Sequence, residues 1–303
     1  MGRACSLVLF LLLAMPATAL EIRYRGSALP AGPFTLFAAP EEALLLTLPA
    51  GTEGTQLYLD GLGAGQREPQ HWRLKVPQSP GLYEIQVNEL SGGARRALSL
   101  RVGRPAADIE REWLDDYRIG PPPAVHPHPD YAHYYIPPSA FFEVGEADVA
   151  APISQHFSLG QFLCKQQSDY PKYLVLDSAL LIFLEGIVAE LKRLGYPVKT
   201  LGVISAYRTP YYNKRIGNVP NSRHVYGDAF DFYVDMDRNG RMDDLNGNGM
   251  LDRADVDKLY DIVTALKKRP EFASLVGGVG RYYPNDRHGG FIHVDTRGFR
   301  ARW

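Results

Sequence analysis

The chain has 303 residues, 45% of them hydrophobic and 22% charged, and its formal net charge is -1. So balanced a charge excludes function by bulk attraction to nucleic acid or to an anionic surface. The length suits about two domains, on a prior of roughly 150 residues each, and either could bury a core of its own.

Residues 1–19 read as a secretory signal peptide. Arg3 gives the positive start, Cys5 to Met15 an apolar run, and Ala17-Thr18-Ala19 a small-residue cleavage site. The run is shorter than the about 20 residues a membrane helix needs. No later segment is apolar enough to span, so the mature chain is expected to be periplasmic or secreted, with no transmembrane segment. Loss of Cys5 leaves Cys164 as the single thiol, which rules out an internal disulfide. Leu159 and Leu163 beside it point to a buried, inert thiol rather than a nucleophile.

Residues 20–103 read as an all-β, immunoglobulin-like domain. Ala43–Leu48, Gln56–Leu59, Trp72–Val76, Leu82–Val87 and Ala97–Val102 are short, partly alternating runs separated by Gly, Pro and Asn turns. Asn88–Gly93 reads as a hairpin break. No cluster of ligand-type side chains lies here, so the expected role is packing or targeting.

Residues 104–152 form a connector rich in proline and aromatic residues. Pro121-Pro122-Pro123, Pro127, Pro129 and Pro137-Pro138 exclude long helices. Tyr131, Tyr134, Tyr135, Phe141 and Phe142 are too aromatic for a free linker, so the segment is expected to pack across the following domain. His126, His128 and His133 sit on this extended, surface-like backbone and are read as surface residues, not metal ligands.

Residues 153–303 read as one α+β unit. Asp177 can cap a helix from Ser178 to Leu194, whose apolar positions fall on one face and which Gly195 and Pro197 end. Leu201–Tyr207, Ala229–Val234, Val279–Tyr283 and Phe291–Thr296 read as strands, and Asp255–Lys268 as a second helix.

The chemistry concentrates in Ser222–Asp231. His224 and Asp231 lie seven apart with Gly227 between them, and Gly permits the tight turn that lets them converge. A catalytic zinc takes three protein ligands and leaves one position open. His293 is the best third candidate, since Phe291–Asp295 alternates like a strand and puts His293 and Asp295 on one face. Spacing alone leaves two readings open, a zinc site or a surface hydrogen bond.

A second pattern covers residues 235–255. Asp235, Asp237 and Asn239 alternate ahead of Gly240, and Asp244, Asn246 and Asn248 alternate ahead of Gly249, with Asp252 and Asp255 following. Hard oxygens at this spacing are the calcium-loop pattern, with Met242 and Leu251 at the apolar eighth position. The bland alternative is a solvated acidic turn. A structural Ca2+ is expected, with the second helix starting from the loop.

The words around these residues carry a resemblance. Ser205-Ala206-Tyr207-Arg208-Thr209-Pro210, then Ser222-x-His224-x-x-Gly227-x-Ala229-x-Asp231, resemble the D-alanyl-D-alanine carboxypeptidase and endopeptidase family of zinc peptidases (peptidase M15-like). Gly290-Phe291-Ile292-His293-Val294-Asp295-Thr296 with Arg302-Trp303 is similar to its murein endopeptidase branch, and Phe157–Phe162 to its entry segment. The resemblance covers residues 153–303. It implies a small antiparallel sheet with flanking helices and a zinc groove, with His224, Asp231 and His293 as ligands. Arg208 would grip a substrate carboxylate or carbonyl, a structural ion pair being its alternative. Ser205, Tyr207 and Ser222 would touch the peptide or brace loops.

Many members carry an acidic base three residues before the last histidine. That position is Gly290, which leaves Asp295, His288 and Asp286 as candidates, Asp295 and His288 first. The expected function is an extracytoplasmic zinc peptidase, D,D- or L,D-specific, acting on peptidoglycan stem peptides or cross-links. The alternatives are a zinc-containing wall-binding module without hydrolysis and a peptidase with a non-wall peptide substrate.

Overall fold

The computed structural model describes residues 20–48, 55–59, 63–89, 95–123, 126 and 128–303. The signal-peptide expectation for residues 1–19, and most of the break at Asn88–Gly93, lie outside these residues. No described helix is long and apolar enough to cross a membrane. The fold is mixed α+β, with many small sheets and few helices.

Two five-stranded sheets occupy residues 23–102. Ala43–Thr47, Trp72–Lys75 and three two-residue strands form one. Thr35–Ala38, Arg95–Val102, Gly81–Glu89 and Thr55–Leu59 run in that order through the other, which Gly63–Ala64 completes. Alternation places the apolar side chains. Leu44 and Leu46 are buried while Ala43 and Leu45 face out, and Leu98, Leu100 and Val102 are buried along their strand. The inward residues of both sheets belong to one core. Removing a side chain of this size from water is worth about 1.5–3 kcal/mol.

That core does not stop at residue 103. It runs on through Phe141, Phe142 and Val144 into the helix Ser178–Arg193. Phe37 meets Phe142 edge-on at 4.9 Å, and the Phe37 backbone N–H donates to Ser178 Oγ at 2.9 Å. Thr35 N donates to the Ile153 carbonyl at 2.8 Å. The connector is therefore more ordered than its prolines suggest. Ala140–Val144 is the middle strand of a three-stranded sheet, between Arg104–Pro105 and Lys172–Leu174. Its helical content near the prolines is the single turn Pro129–Ala132, started by His128.

The sheet that positions the site has the order Gly202–Ser205, Ala229–Tyr233, Phe291–Asp295, Gly278–Tyr282, Ala301–Arg302. Its pairs are antiparallel except the last, which is parallel. The helix Ser178–Arg193 begins at Asp177, whose carboxylate accepts from Ala179 N at 3.0 Å, and the helix Arg253–Leu266 packs against the sheet's interior strands. Phe230 and Phe232 turn to the core, where Phe230 meets Phe162 at 5.1 Å. Period-two geometry then puts Asp231 on the opposite face.

Candidate metal centre

Strand register brings the three residues together. Asp231 stands directly opposite His293 across one pair and opposite Ser205 across the other. Directly opposed side chains in such a pair are about 5 Å apart at Cβ. His224 arrives from a short 3-10 turn, Arg223–Tyr226, which ends at Gly227 with φ 74°. A Cβ there would lie 2.5 Å from the Val175 backbone, so both the left-handed turn and the close approach require glycine. Across that turn Arg208 N donates to the His224 carbonyl at 3.1 Å, which ties the turn to the strand end.

Each histidine has one nitrogen committed elsewhere. His224 Nδ1 donates to the Ala206 carbonyl at 2.6 Å, leaving Nε2 to face Asp231 Oδ2 at 3.1 Å. His293 Nε2 lies 3.0 Å from Asp295 Oδ2, and its Nδ1 lies 2.7 Å from Asp231 Oδ1. Candidate ligand atoms of His224, Asp231 and His293 lie within 4.8 Å of one another, and all three residues are buried. Among the described residues no other set of three histidine, cysteine or acidic side chains gathers in this way. Tetrahedral zinc with bonds of about 2.1 Å wants ligand atoms roughly 3.4 Å apart, so small shifts of the side chains would admit the ion. A histidine whose second nitrogen donates to a carbonyl or carboxylate is also the usual arrangement for a metal ligand.

The charges balance within the cluster. Burial opposes the charge on Asp231, but His224 and His293 hold its carboxyl far below the usual carboxylate range. Burial pushes His224 down, toward the neutral ring a ligand needs. Burial also works against charge on His293, yet the hydrogen bonds it donates to Asp231 and Asp295 push it up to about 9.

The site opens into a cavity of about 510 Å³, lined on one side by His224, Asp231 and His293. Of the other expected residues, Arg208, Ser222 and His288 line it. Arg208 Nη2 donates to Asp231 Oδ2 at 2.9 Å and its Nε to Ser205 Oγ at 2.8 Å, so Ser205 braces the guanidinium from beneath. His288 rests edge-on against Phe291, with Nδ1 at the Gly289 carbonyl and Nε2 accepting from Asn285 Nδ2 at 2.8 Å.

Three of the residues considered lie away from the groove. Tyr207 is buried away from the groove and lines a separate apolar cavity walled by Pro121, Pro122 and Pro137, because the strand ends between Ser205 and Arg208 and turns its ring inward. Asp295 is 0% exposed and does not reach the cavity. Its oxygens are taken up by His293, Gly278 N at 2.8 Å and the Arg297 guanidinium, which fits an orienting group and not a base for an attacking water. Asp286 is exposed outside the cavity. Gly290 has a steric reason. A Cβ there would collide with Val256 of the helix Arg253–Leu266 and press on Met242.

The calcium-loop residues are differently arranged. Asp235 accepts from Asn239 N and Gly240 N, at 2.9 and 3.0 Å, and Asp237 accepts from Asn239 N at 3.2 Å. Asn239 Oδ1 takes Arg241 N at 2.8 Å. Asp244 accepts from Gly247, Asn248 and Gly249, while Asn246 and Asn248 accept from amides two residues on. Asp252 and Asp255 form a capping box at the start of the helix. Asp255 also takes the Leu245 and Asn246 amides. Leu251 is 54% exposed, so the apolar anchor is Met242 with Leu245 and not Leu251.

The groove also holds His126, Tyr135, Tyr282 and Arg297, which were not read as site residues, and Trp303 of the C-terminal motif. Trp303 packs on His293 with ring centroids 5.2 Å apart and donates from Nε1 to Tyr282 at 2.9 Å. The signal for His126 and Tyr135 was the aromatic density of the connector, which said that it packs across the following domain but not at which place. Cys164 is buried, and burial raises its thiol pKa, in keeping with an inert thiol.

Residues 155–248 match the family model described as Peptidase M15. The match includes His224 and Asp231, stops before His293, and supports a metallopeptidase of that family. Among curated proteins none matches. A solved structure described as Clostridium thermocellum CbhA fibronectin(III)-like modules is 22% identical, with 24% of this chain and 92% of that chain covered at a TM-score of 0.19. A likeness at that score carries no argument about the fold.

Proposed function

We propose that this protein is an extracytoplasmic zinc peptidase that hydrolyses amide bonds in peptidoglycan stem peptides or cross-links. The carrying observation is the convergence of His224 Nε2, Asp231 and His293 Nδ1 on one point at the edge of an open groove. The match of residues 155–248 to the peptidase M15 model supports it independently.

Zinc held by these three residues would supply Lewis acidity, activating a water and polarising the scissile carbonyl. The chain's own residues do the rest. The Arg208 guanidinium holds a substrate carboxylate or carbonyl through paired N–H donors. His288 is the base, since it lines the groove and Asp295 does not. The proton would move at its Nε2, the ring's acceptor atom, in exchange for the Asn285 N–H that it accepts in this structure. Asp295 fixes the tautomer of His293 and acts as a positioning residue. Calcium in residues 235–255 is the finer part of this reading. The ion would be held by side-chain oxygens of Asp235, Asp237, Asn239, Asp244, Asn246 and Asn248 and would brace the edge of the groove.

A second reading keeps the metal without hydrolysis, as a wall-binding module. The glycine at position 290, where the resemblance leads one to expect an acid, favours it. Digestion of defined muropeptides decides between them. The zinc-loaded protein is expected to release new amines, and His224→Ala to lose zinc and release together. Full zinc content in His224→Ala would remove the ligand assignment. Tight murein binding with no amine release by the wild type would establish the module.

A further inference from the structure

His126 belongs to no sequence motif, yet it lines the same cavity as His224, Asp231 and His293. Its placement is built. The ring lies against Tyr135 at 4.8 Å and meets Tyr131 edge-on at 5.3 Å. Tyr131 in turn packs on Phe299 at 4.5 Å. Tyr135 is buried, and the Arg223 guanidinium lies 4.6 Å from its ring centroid. Arg223 is itself clamped to buried Asp228 through two N–H donors. A buried, doubly bonded ion pair thus fixes the platform that carries an imidazole to the rim of the groove.

The ring's tautomer follows from its partner. His126 Nδ1 accepts the His128 backbone N–H at 3.1 Å, so the proton of the neutral ring sits on Nε2. That leaves a hydrogen-bond donor on the groove wall. A peptide lying along the groove presents carbonyl and carboxylate oxygens, which are acceptors only.

We propose that His126 is a substrate-contact residue of the groove, donating from Nε2 to a carbonyl or carboxylate oxygen of the bound peptide. This rests on the peptidase reading above. It also makes the connector part of the site.

The test uses the zinc-loaded full chain and purified murein as the probe, with His126→Gln, which keeps an N–H donor, and His126→Phe, which keeps the ring alone. Co-sedimentation on ice reads binding, initial amine release reads turnover, and zinc content with melting temperature reads integrity. Loss of one such hydrogen bond is expected to weaken murein binding by roughly 10-fold in His126→Phe, with His126→Gln within about threefold of wild type. Zinc content and melting temperature stay unchanged in both. The proposal is overturned if His126→Phe binds like the wild type, if His126→Gln falls as far as His126→Phe, or if the wild type does not bind murein. Should the wild type bind without releasing amines, the peptidase reading fails while the comparison of the two variants still decides the role of His126.

Discussion

His293 sits between two carboxylates, Asp231 on Nδ1 and Asp295 on Nε2, and this division of labour sets what each residue can do. The nitrogen held by Asp295 is fixed as the donor. Asp295→Asn keeps the shape and removes the charge that orients the ring, and such changes beside a ligand typically reduce metal affinity by about 10–100-fold. Titration of the variant with zinc against a competing chelator checks this. Unchanged affinity would return Asp295 to the list of candidate bases. The same geometry predicts a pH dependence. The folded-state pKa of His293 is raised from 6.5 to about 9 in the metal-free protein, by hydrogen bonds that outweigh burial. A raised pKa stabilises the fold while the group is protonated. The contribution is whole below about pH 6.5 and is lost as pH climbs through about 9, on the order of 3 kcal/mol. Burial lowers His224, so its contribution runs the other way and is lost on acidification. Metal-free protein should therefore lose stability between these two pH values in denaturant melts. Zinc-loaded protein should not, because the ligand ring is already deprotonated.

At the scale of elements, the stretch from Asp235 to Asp255 does two jobs that the loop pattern merged into one. Asp252 and Asp255 start the helix Arg253–Leu266 through side chain to backbone bonds, at 2.7 Å to Ala254 N and 2.9 Å from Asp252 N to Asp255. Asp252→Ala is expected to cost about 1 kcal/mol even with calcium chelated, the usual penalty for losing an N-cap. A larger loss in calcium than in chelator would reveal an ion's share. A melting temperature of the wild type that ignores chelation would sink the calcium reading. The same helix carries Val256, which with Met242 fills the space beside Gly290. The element boundaries were legible because they rest on local chemistry. Asp177 and the apolar face predicted Ser178–Leu194, and the helix runs Ser178–Arg193. The strand Ala229–Tyr233 ends one residue short of its expected end. The second helix starts two residues early, at Arg253, since Asp252 rather than Asp255 is its cap.

For the whole molecule, one apolar core links the N-terminal sheets to the sheet that carries Asp231 and His293. Arg25 reaches from the first sheet to Asp177, the cap of the long helix, at 3.1 Å. The described residues should therefore unfold together. Phe142→Ala, which removes a buried ring shared by both parts, is expected to cost about 3–5 kcal/mol. Calorimetry should show a single transition moving down as a unit. Two separated transitions in the variant would show instead that the N-terminal sheets and residues 153–303 are independent.

The sequence by itself determined the elements, the trio His224, Asp231 and His293, and the absence of an acid at position 290. The elements depend on period, capping and turn chemistry, which act over a few residues, whereas the trio and the expectation of an acid came from spacing together with the resemblance of the flanking words. Only the tertiary structure decided which carboxylate faces the groove and which is sealed behind His293, because Asp231 and Asp295 differ in neighbours and not in residue type. It decided that Tyr207 turns away from the groove, since a side chain's direction past a strand end depends on what packs there. It also brought His126 to the groove across about a hundred residues of chain, a proximity set by the packing of Tyr135 on Arg223 and Tyr226.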